Sequence, residues 1–161
     1  MAFRFTDTHA LSLVQPHLFP GEQLLHRSRG VERPVWTMFF PKIGAFFHRF
    51  YLVVATNQRL LLVQHGGLFS GWKAKEVLSF TWAEVNDMKL GWGIFEKKLH
   101  VASSAKRLKK SIAIPRFWMK NNLQSGEGMI TAWKSAAQQL PPASAGGYYP
   151  ALSQGPVSAR A

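Results

Sequence analysis

The stretch that most constrains this chain runs from Phe50 to Phe80, FYLVVATNQRLLLVQHGGLFSGWKAKEVLSF. Two short runs rich in Val, Leu and aromatics, Phe50 to Ala55 and Leu60 to Val63, are separated by Thr56-Asn57-Gln58-Arg59. That polar, Asn-containing step suits a tight reversal, so the pair is expected to form a β-hairpin. A second break at Gly66-Gly67 and Ser70-Gly71 returns the chain into a strand from Trp72 to Phe80, giving an antiparallel meander. Phe50, Leu52 and Val54 fall on one face of the first strand and Tyr51, Val53 and Ala55 on the other. A strand with one solvated face would alternate polar with apolar, so this pair belongs in mid-sheet with both faces covered.

The chain has 161 residues, 47% of them hydrophobic, enough for one domain with its own core. Twenty Lys and Arg against eight Asp and Glu give a net charge of +12, which attracts anionic partners: nucleic acid, acidic lipid headgroups or an acidic protein. There is no cysteine, which removes disulfides and thiolate metal sites. The N-terminal residues carry Asp7 and His9 among few apolar ones, unlike a signal peptide. The expected location is the cytoplasm, with peripheral attachment at the inner face of the membrane.

The most apolar window, 35–54, is interrupted by Lys42, His48 and Arg49 and broken by Pro41 and Gly44. Each charge at mid-bilayer costs about 2.5 to 3.5 kcal/mol on insertion scales, so the window does not read as a span. Its aromatics Phe39, Phe40, Phe46 and Phe47 either cap the open end of the sheet's own core or form an apolar contact at a lipid interface. Core capping is preferred, because large exposed apolar patches are rare.

Before the meander, Asp7-Thr8 caps a short helix reaching Val14 with Ala10, Leu11 and Val14 as its stripe, ended by Pro16. Residues 1–17 are read as an N-terminal arm. A first strand from Gln23 to Ser28 is placed at a sheet edge. After the meander, Asn86 to Leu90 and Ile94 to Val101 form a further hairpin across Gly91-Trp92-Gly93. Phe95, Leu99 and Val101 point inward there, and Lys97 breaks the alternation. Ser111 to Ile114 makes a last strand. Met129, Ile130, Trp133, Ala137 and Leu140 share one helical face, with Ser125 as a cap and Pro141-Pro142 as a stop. The remaining 141–161, rich in Pro, Gly, Ala and Ser, read as a disordered tail.

These residues resemble the bacterial pleckstrin-homology-like (PH-like, GRAM-like) domains. The likeness rests on Leu18-Phe19-Pro20-Gly21-Glu22, on Val54-Ala55-Thr56-Asn57-Gln58-Arg59-Leu60, on Gly67-Leu68-Phe69-Ser70-Gly71-Trp72 and on Phe80-Thr81-Trp82-Ala83-Glu84-Val85, and it spans residues 18–140. It implies a mainly β fold, a strongly bent antiparallel two-sheet barrel closed by one C-terminal helix. It also implies a module that binds lipids, phosphorylated headgroups or proteins. Phosphoinositide-binding relatives carry Lys and Arg on the first two strands, near where Arg27, Arg29 and Arg33 stand here. The aromatic insertion 35–47 departs from that pattern.

Lys73, Lys75, Lys97, Lys98, Lys106, Arg107, Lys109 and Lys110 come from neighbouring elements and form the candidate anion- or lipid-binding set. The bland alternative is a solvated face. Nucleic acid is the rival partner, with Trp72, Trp82, Trp92 and Trp118 as stacking platforms, though tryptophans in a small barrel more often serve the core. Few acids, six scattered histidines and no phosphate-cradling Gly loop leave no catalytic residue, metal ligand or cofactor to name. The expected function is a noncatalytic module for an anionic membrane surface or an acidic protein. Nonspecific nucleic-acid binding and protein assembly are the alternatives.

Overall fold

The computed structural model describes residues 6–34, 39, 47–66, 73–119 and 121–139. The described residues form seven strands and two α-helices, α1 (Asp7–Val14), β1 (Leu24–Glu32), β2 (Arg49–Thr56), β3 (Arg59–His65), β4 (Ala74–Thr81), β5 (Asp87–Leu90), β6 (Glu96–Ser103), β7 (Leu108–Pro115) and α2 (Asn122–Gln139), with single 3-10 turns at Gln15–His17 and Trp82–Glu84. The strands make one antiparallel sheet in the order β4-β3-β2-β1-β7-β6-β5. A four-stranded half, β1 to β4, joins a three-stranded half, β5 to β7, at the β1–β7 pairing of Val31 with Ala113.

The hairpin forms where the sequence placed it, with Asn57 and Gln58 as a two-residue turn, and β4 pairs antiparallel with β3 as the meander requires; β4 begins at Ala74, and Trp72, its expected start, lies outside the described residues. Both faces of β2 and β3 are indeed buried. Tyr51, Val53, Ala55, Leu60 and Leu62 face an inner core that also holds Phe80 of β4, Met88 of β5, Leu99 of β6, Ile112 of β7 and Met129 of α2. Side chains from both ends of the strand order meet in that cluster, so the sheet is curled around it. Leu52, Val54, Leu61 and Val63 point the other way and are covered by Ala10, Leu13 and Val14 of α1 together with Met119. Complete burial of each such side chain contributes about 1.5 to 3 kcal/mol.

Several expectations shift. Strand β1 lies between β2 and β7 rather than at an edge; its second partner is some eighty residues further along the chain, beyond the reach of local pattern. Thr6, not Asp7 or Thr8, caps α1, closing a capping box with His9. Leu13 rather than Leu11 joins the stripe, and Leu11 is exposed. Helix α2 starts at Asn122, so Ser125 lies inside it, and Ala136 packs where Ala137 was expected. The inward parity of β6 holds at Leu99 and Val101, but the core ends there. At Lys97 the inward side chain meets Glu127 of α2, and Phe95 has run past the strand into solvent, 73% exposed. Leu140 and the tail 141–161 lie outside the described residues.

Helix α2 is held to the sheet by more than apolar contact. Asn122, 1% exposed, accepts from Ser28 Oγ at 2.9 Å and from the Arg29 amide at 2.8 Å through Oδ1. Its Nδ2 donates to the carbonyls of Arg29 (2.9 Å) and Pro115 (2.6 Å). Trp133 Nε1 donates to the Val85 carbonyl at 3.0 Å, which fixes the helix over the corner between β4 and β5.

Candidate basic faces and an exposed aromatic rim

Strand parity divides the basic residues. On β6 and β7, Leu99, Val101 and Ile112 face the core; Lys98, His100 and Lys109 therefore face outward, and the pairing sets Lys89 beside His100 and His100 beside Ser111. The outward face of β5–β7 thus displays Lys89, Lys98 and Lys109 in solvent, with Arg107 on the β6–β7 turn. Arg107 has φ of 48°, a left-handed conformation suited to a tight turn. Lys89 is paired at 3.0 Å with Asp87, both side chains largely solvated, a contact worth little.

Three other cations of the set, Lys97, Lys106 and Lys110, have partners within the protein. Lys110 points inward from β7 and donates to the Glu32 carboxylate at 2.8 and 3.1 Å and to Tyr51 Oη at 3.2 Å. Burial works against its charge, but Glu32 and Tyr51 outweigh it and raise the ammonium pKa. The Tyr51 phenol is pushed up, chiefly by burial. Lys97 pairs with Glu127 at 2.5 Å. Lys106 donates to the Ser79 carbonyl, lies 5.0 Å from the Phe80 ring centroid and is 3.9 Å from Glu84. Lys73 and Lys75 are exposed at the start of β4, where Lys75 shares the outward parity of Val77. They stand at the opposite end of the strand order from Lys89 and Lys98.

The arginines near the headgroup-binding position of the resembled domains are likewise occupied. Arg27 pairs with Asp7 at 3.1 Å and Arg33 with Glu96 at 3.0 Å. Arg29 lies over Trp118 (4.9 Å) and Phe50 (5.5 Å), and burial lowers its guanidinium pKa to about 10. It stays charged at neutral pH.

The aromatics separate in the same way. Trp82 is buried and Trp133 anchors α2. Phe39 and Phe47, expected first to cap the core, are 77% and 53% exposed; Phe40, Phe46 and Trp72 lie outside the described residues. A group the sequence did not bring together stands at the end of β5–β7: Trp92, Ile94, Phe95 and Phe117 are 89%, 61%, 73% and 77% exposed. The Arg116 amide donates to the Phe95 carbonyl at 2.8 Å and the Gly91 amide to the Lys98 carbonyl at 2.8 Å. The first bond holds the β5–β6 loop against the β7–α2 turn, and the second closes the loop on itself. The signal available in sequence was aromatics beside glycines, Gly91-Trp92-Gly93, in a short hairpin loop.

Behind this rim a hollow of about 760 Å³ opens between the start of α1 and the first turns of α2, with Lys97, Arg116, Trp118 and Glu127 on its walls. Among the described residues no three His, Asp or Glu side chains are grouped to hold a metal ion, and no helix is long and apolar enough to cross a membrane.

No family model and no curated protein matches the sequence. Among solved structures, the chain is similar to a pleckstrin homology domain from Shewanella amazonensis, with 15% identity, a TM-score of 0.46 and coverage of 77% of this chain and 95% of that one. It is similar to a DUF1696 family protein with a pleckstrin-homology domain from Shewanella loihica (15%, TM-score 0.44, 81% and 92%). It is also similar to the hSac2 domain of the human phosphoinositide phosphatase Sac2 (12%, TM-score 0.49, 78% and 79%). By its own architecture, a curled seven-stranded antiparallel sheet closed by one C-terminal helix, the fold is PH-like.

Proposed function

We propose that the protein is a noncatalytic binding module that attaches peripherally to an anionic lipid surface at the cytoplasmic side of a membrane. The observation that carries this reading is the outward face of β5–β7, where Lys98, Lys109 and Arg107 stand in solvent beside Lys89. Near an acidic bilayer each such cation contributes about 1 kcal/mol at low salt, enough together for reversible attachment. Lys73 just before β4, Lys75 on it and the solvent-facing Lys106 of the β6–β7 turn extend the positive surface, while Lys97 and Lys110 act mainly through their internal partners. Phe39 and Phe47, with Phe40 and Phe46, supply an apolar contact from the 35–47 loop.

The noncatalytic part is supported by the acids. Seven of the eight, Asp7, Glu22, Glu32, Glu84, Asp87, Glu96 and Glu127, stand in ion pairs. Co-sedimentation with phosphatidylcholine vesicles, with and without phosphatidylserine, tests the reading. Binding to the acidic vesicles that weakens with salt and with Lys98→Glu/Lys109→Glu is the expected result; equal, weak binding to both kinds overturns it. The exposed Trp92 favours one rival, nonspecific single-stranded nucleic acid stacked on that ring. A salt-dependent gel shift with arbitrary oligonucleotides and none with vesicles would select it. Binding to neither points to an acidic protein partner.

A further inference from the structure

We infer that Trp92, Ile94, Phe95 and Phe117 form an insertion edge at one end of the outward face of β5–β7, which enters the interfacial layer of an acidic bilayer while that face lies along the membrane. The inference rests on the lipid-surface reading above and adds which part of the molecule meets the lipid. These four side chains lie on the β5–β6 loop and the β7–α2 turn, which the Arg116–Phe95 backbone bond at 2.8 Å ties together. They are among the most exposed large apolar side chains described. None contributes to either core cluster, because the sheet extends beyond the cover of α2 at this end. A contiguous group of this kind on a chain that must stay in solution marks a contact surface.

The loop is built to hold the ring outward. A side chain on Gly93 would place its Cβ 1.8 Å from the Glu96 carbonyl oxygen, so the backbone turns back on itself immediately after Trp92. The ring is left at the tip of a closed loop whose Gly91 amide is bonded to Lys98. Three cations flank the edge: Lys89 and Lys98 at the two strand ends beside the loop, and Arg116 between the tied Phe95 and Phe117, 6.0 Å from the Phe117 ring. Aromatic rings bracketed by cations suit the headgroup boundary of an anionic leaflet, where rings sit among the upper acyl carbons and the cations meet phosphates. Charge also decides between occupants. A second copy of a chain carrying +12 would bring like charges against like, whereas an acidic leaflet neutralises them.

The experiment uses the full chain, phosphatidylcholine/phosphatidylserine vesicles and the variant Trp92→Ser/Phe95→Ser/Phe117→Ser, its fold checked by circular dichroism and thermal melting. The insertion edge requires that the variant keep a salt-sensitive attachment but bind on the order of tenfold or more weakly. It also requires that lipids brominated near the headgroup quench wild-type tryptophan fluorescence more than that of Trp92→Phe. If wild type binds and the triple variant binds equally well at every salt concentration, the inference fails while the electrostatic reading survives. If wild type does not bind acidic vesicles, both fail. Concentration-dependent dimerisation of wild type that the triple variant abolishes overturns the inference in favour of self-association.

Discussion

Glu22 and Arg59 form a bidentate ion pair inside the protein, Nε to Oε1 and Nη2 to Oε2, each at 2.8 Å, with the Glu22 side chain wholly buried. The remaining acceptor sites of Glu22 take the Thr56 hydroxyl at 2.6 Å and the Phe19 amide at 2.8 Å. Arg59 also reaches Ser79 Oγ and the His17 carbonyl, and it lies 3.8 Å from the Phe19 ring centroid. The Pro-Gly-Glu entry to β1 and the Thr-Asn-x-Arg turn are thus two halves of one clamp. Breaking a buried pair by removing one partner costs about 3–5 kcal/mol, while replacing both by apolar groups of similar volume is far milder. Arg59→Met and Glu22→Leu should each lose stability of that order in urea unfolding, and the double variant should lose less than the sum.

The same clamp sets an acid limit. The Arg59 hydrogen bond, outweighing burial and helped by Phe19 and Thr56, holds the Glu22 carboxyl at about 2. Its folded pKa lies below its ordinary 4.5, so the unfolded chain binds more protons in that interval. The stabilisation is complete above about pH 4.5 and is lost as pH falls toward 2. His65 acts higher: burial lowers its imidazole to about 4, so its contribution fades between 6.5 and 4. The stability difference between wild type and Glu22→Gln, measured at pH 6, 4 and 3 (buffer points of order-of-magnitude spacing around that window), should shrink as pH falls. A constant difference contradicts the assignment.

Much of this fold was legible because it is local. The β2–β3 hairpin announces itself through a polar turn between two runs apolar on both faces, and its neighbours follow by short connections. Strand β1 was misplaced because its pairing with β7 is nonlocal, and the first half of α2 was hidden by Gly126 and Gly128. There the helix packs closely: a Cβ on Gly128 would meet the His26 ring at 2.4 Å and one on Gly126 would come within 3.3 Å of Ile114, so close packing outweighed helix propensity. The basic surface was legible only as a sum. Lys109 and Lys110 are adjacent in sequence, yet parity sends one to solvent and the other to Glu32, and Phe95 kept the right parity past the point where the core ended.

Asn122 tests how α2 is secured. Its side chain satisfies Ser28 Oγ, the Arg29 amide and the carbonyls of Arg29 and Pro115. Asn122→Ala removes the side-chain partner of the Arg29 amide and of the two carbonyls, while Ser28 Oγ keeps the Asn122 main-chain carbonyl at 3.0 Å; the cost is about 1–3 kcal/mol for each group that water cannot reach. A loss of at least that order in denaturant unfolding is expected, together with earlier hydrogen exchange along α2. A variant as stable as wild type would show that apolar packing alone holds the helix.

Gly30 marks the place where the two halves of the sheet cross. A Cβ there would meet Ile112 Cγ2 at 2.4 Å and the Ala113 carbonyl oxygen at 2.8 Å, and the backbone oxygen cannot swing away as a side-chain tip can. Gly30→Ala should therefore cost about 1–3 kcal/mol through overpacking and lower the melting temperature. Gly21→Ala has open space around its Cβ but carries φ of 78°, so its cost should be smaller, near the 1 kcal/mol of a left-handed alanine.

Lys109 and Lys110 separate attachment from folding. Lys110→Met removes the cation shared by Glu32 and Tyr51 in a largely covered site and should cost about 1–3 kcal/mol. Lys109→Met, on the solvated face, should stay within about 0.5 kcal/mol of wild type. On acidic vesicles the order reverses. Charge reversal at Lys109 should weaken binding and flatten its salt dependence, because a surface cation acts through the bilayer's potential, which at 0.15 M salt decays over about 8 Å. Lys110→Met, once folded, should bind nearly as wild type does, since its charge is already matched by Glu32. Equal losses of vesicle binding at both positions would mean that the Glu32–Lys110 pair opens at the membrane and that the mouth of the barrel, rather than the outward face of β5–β7, meets the lipid.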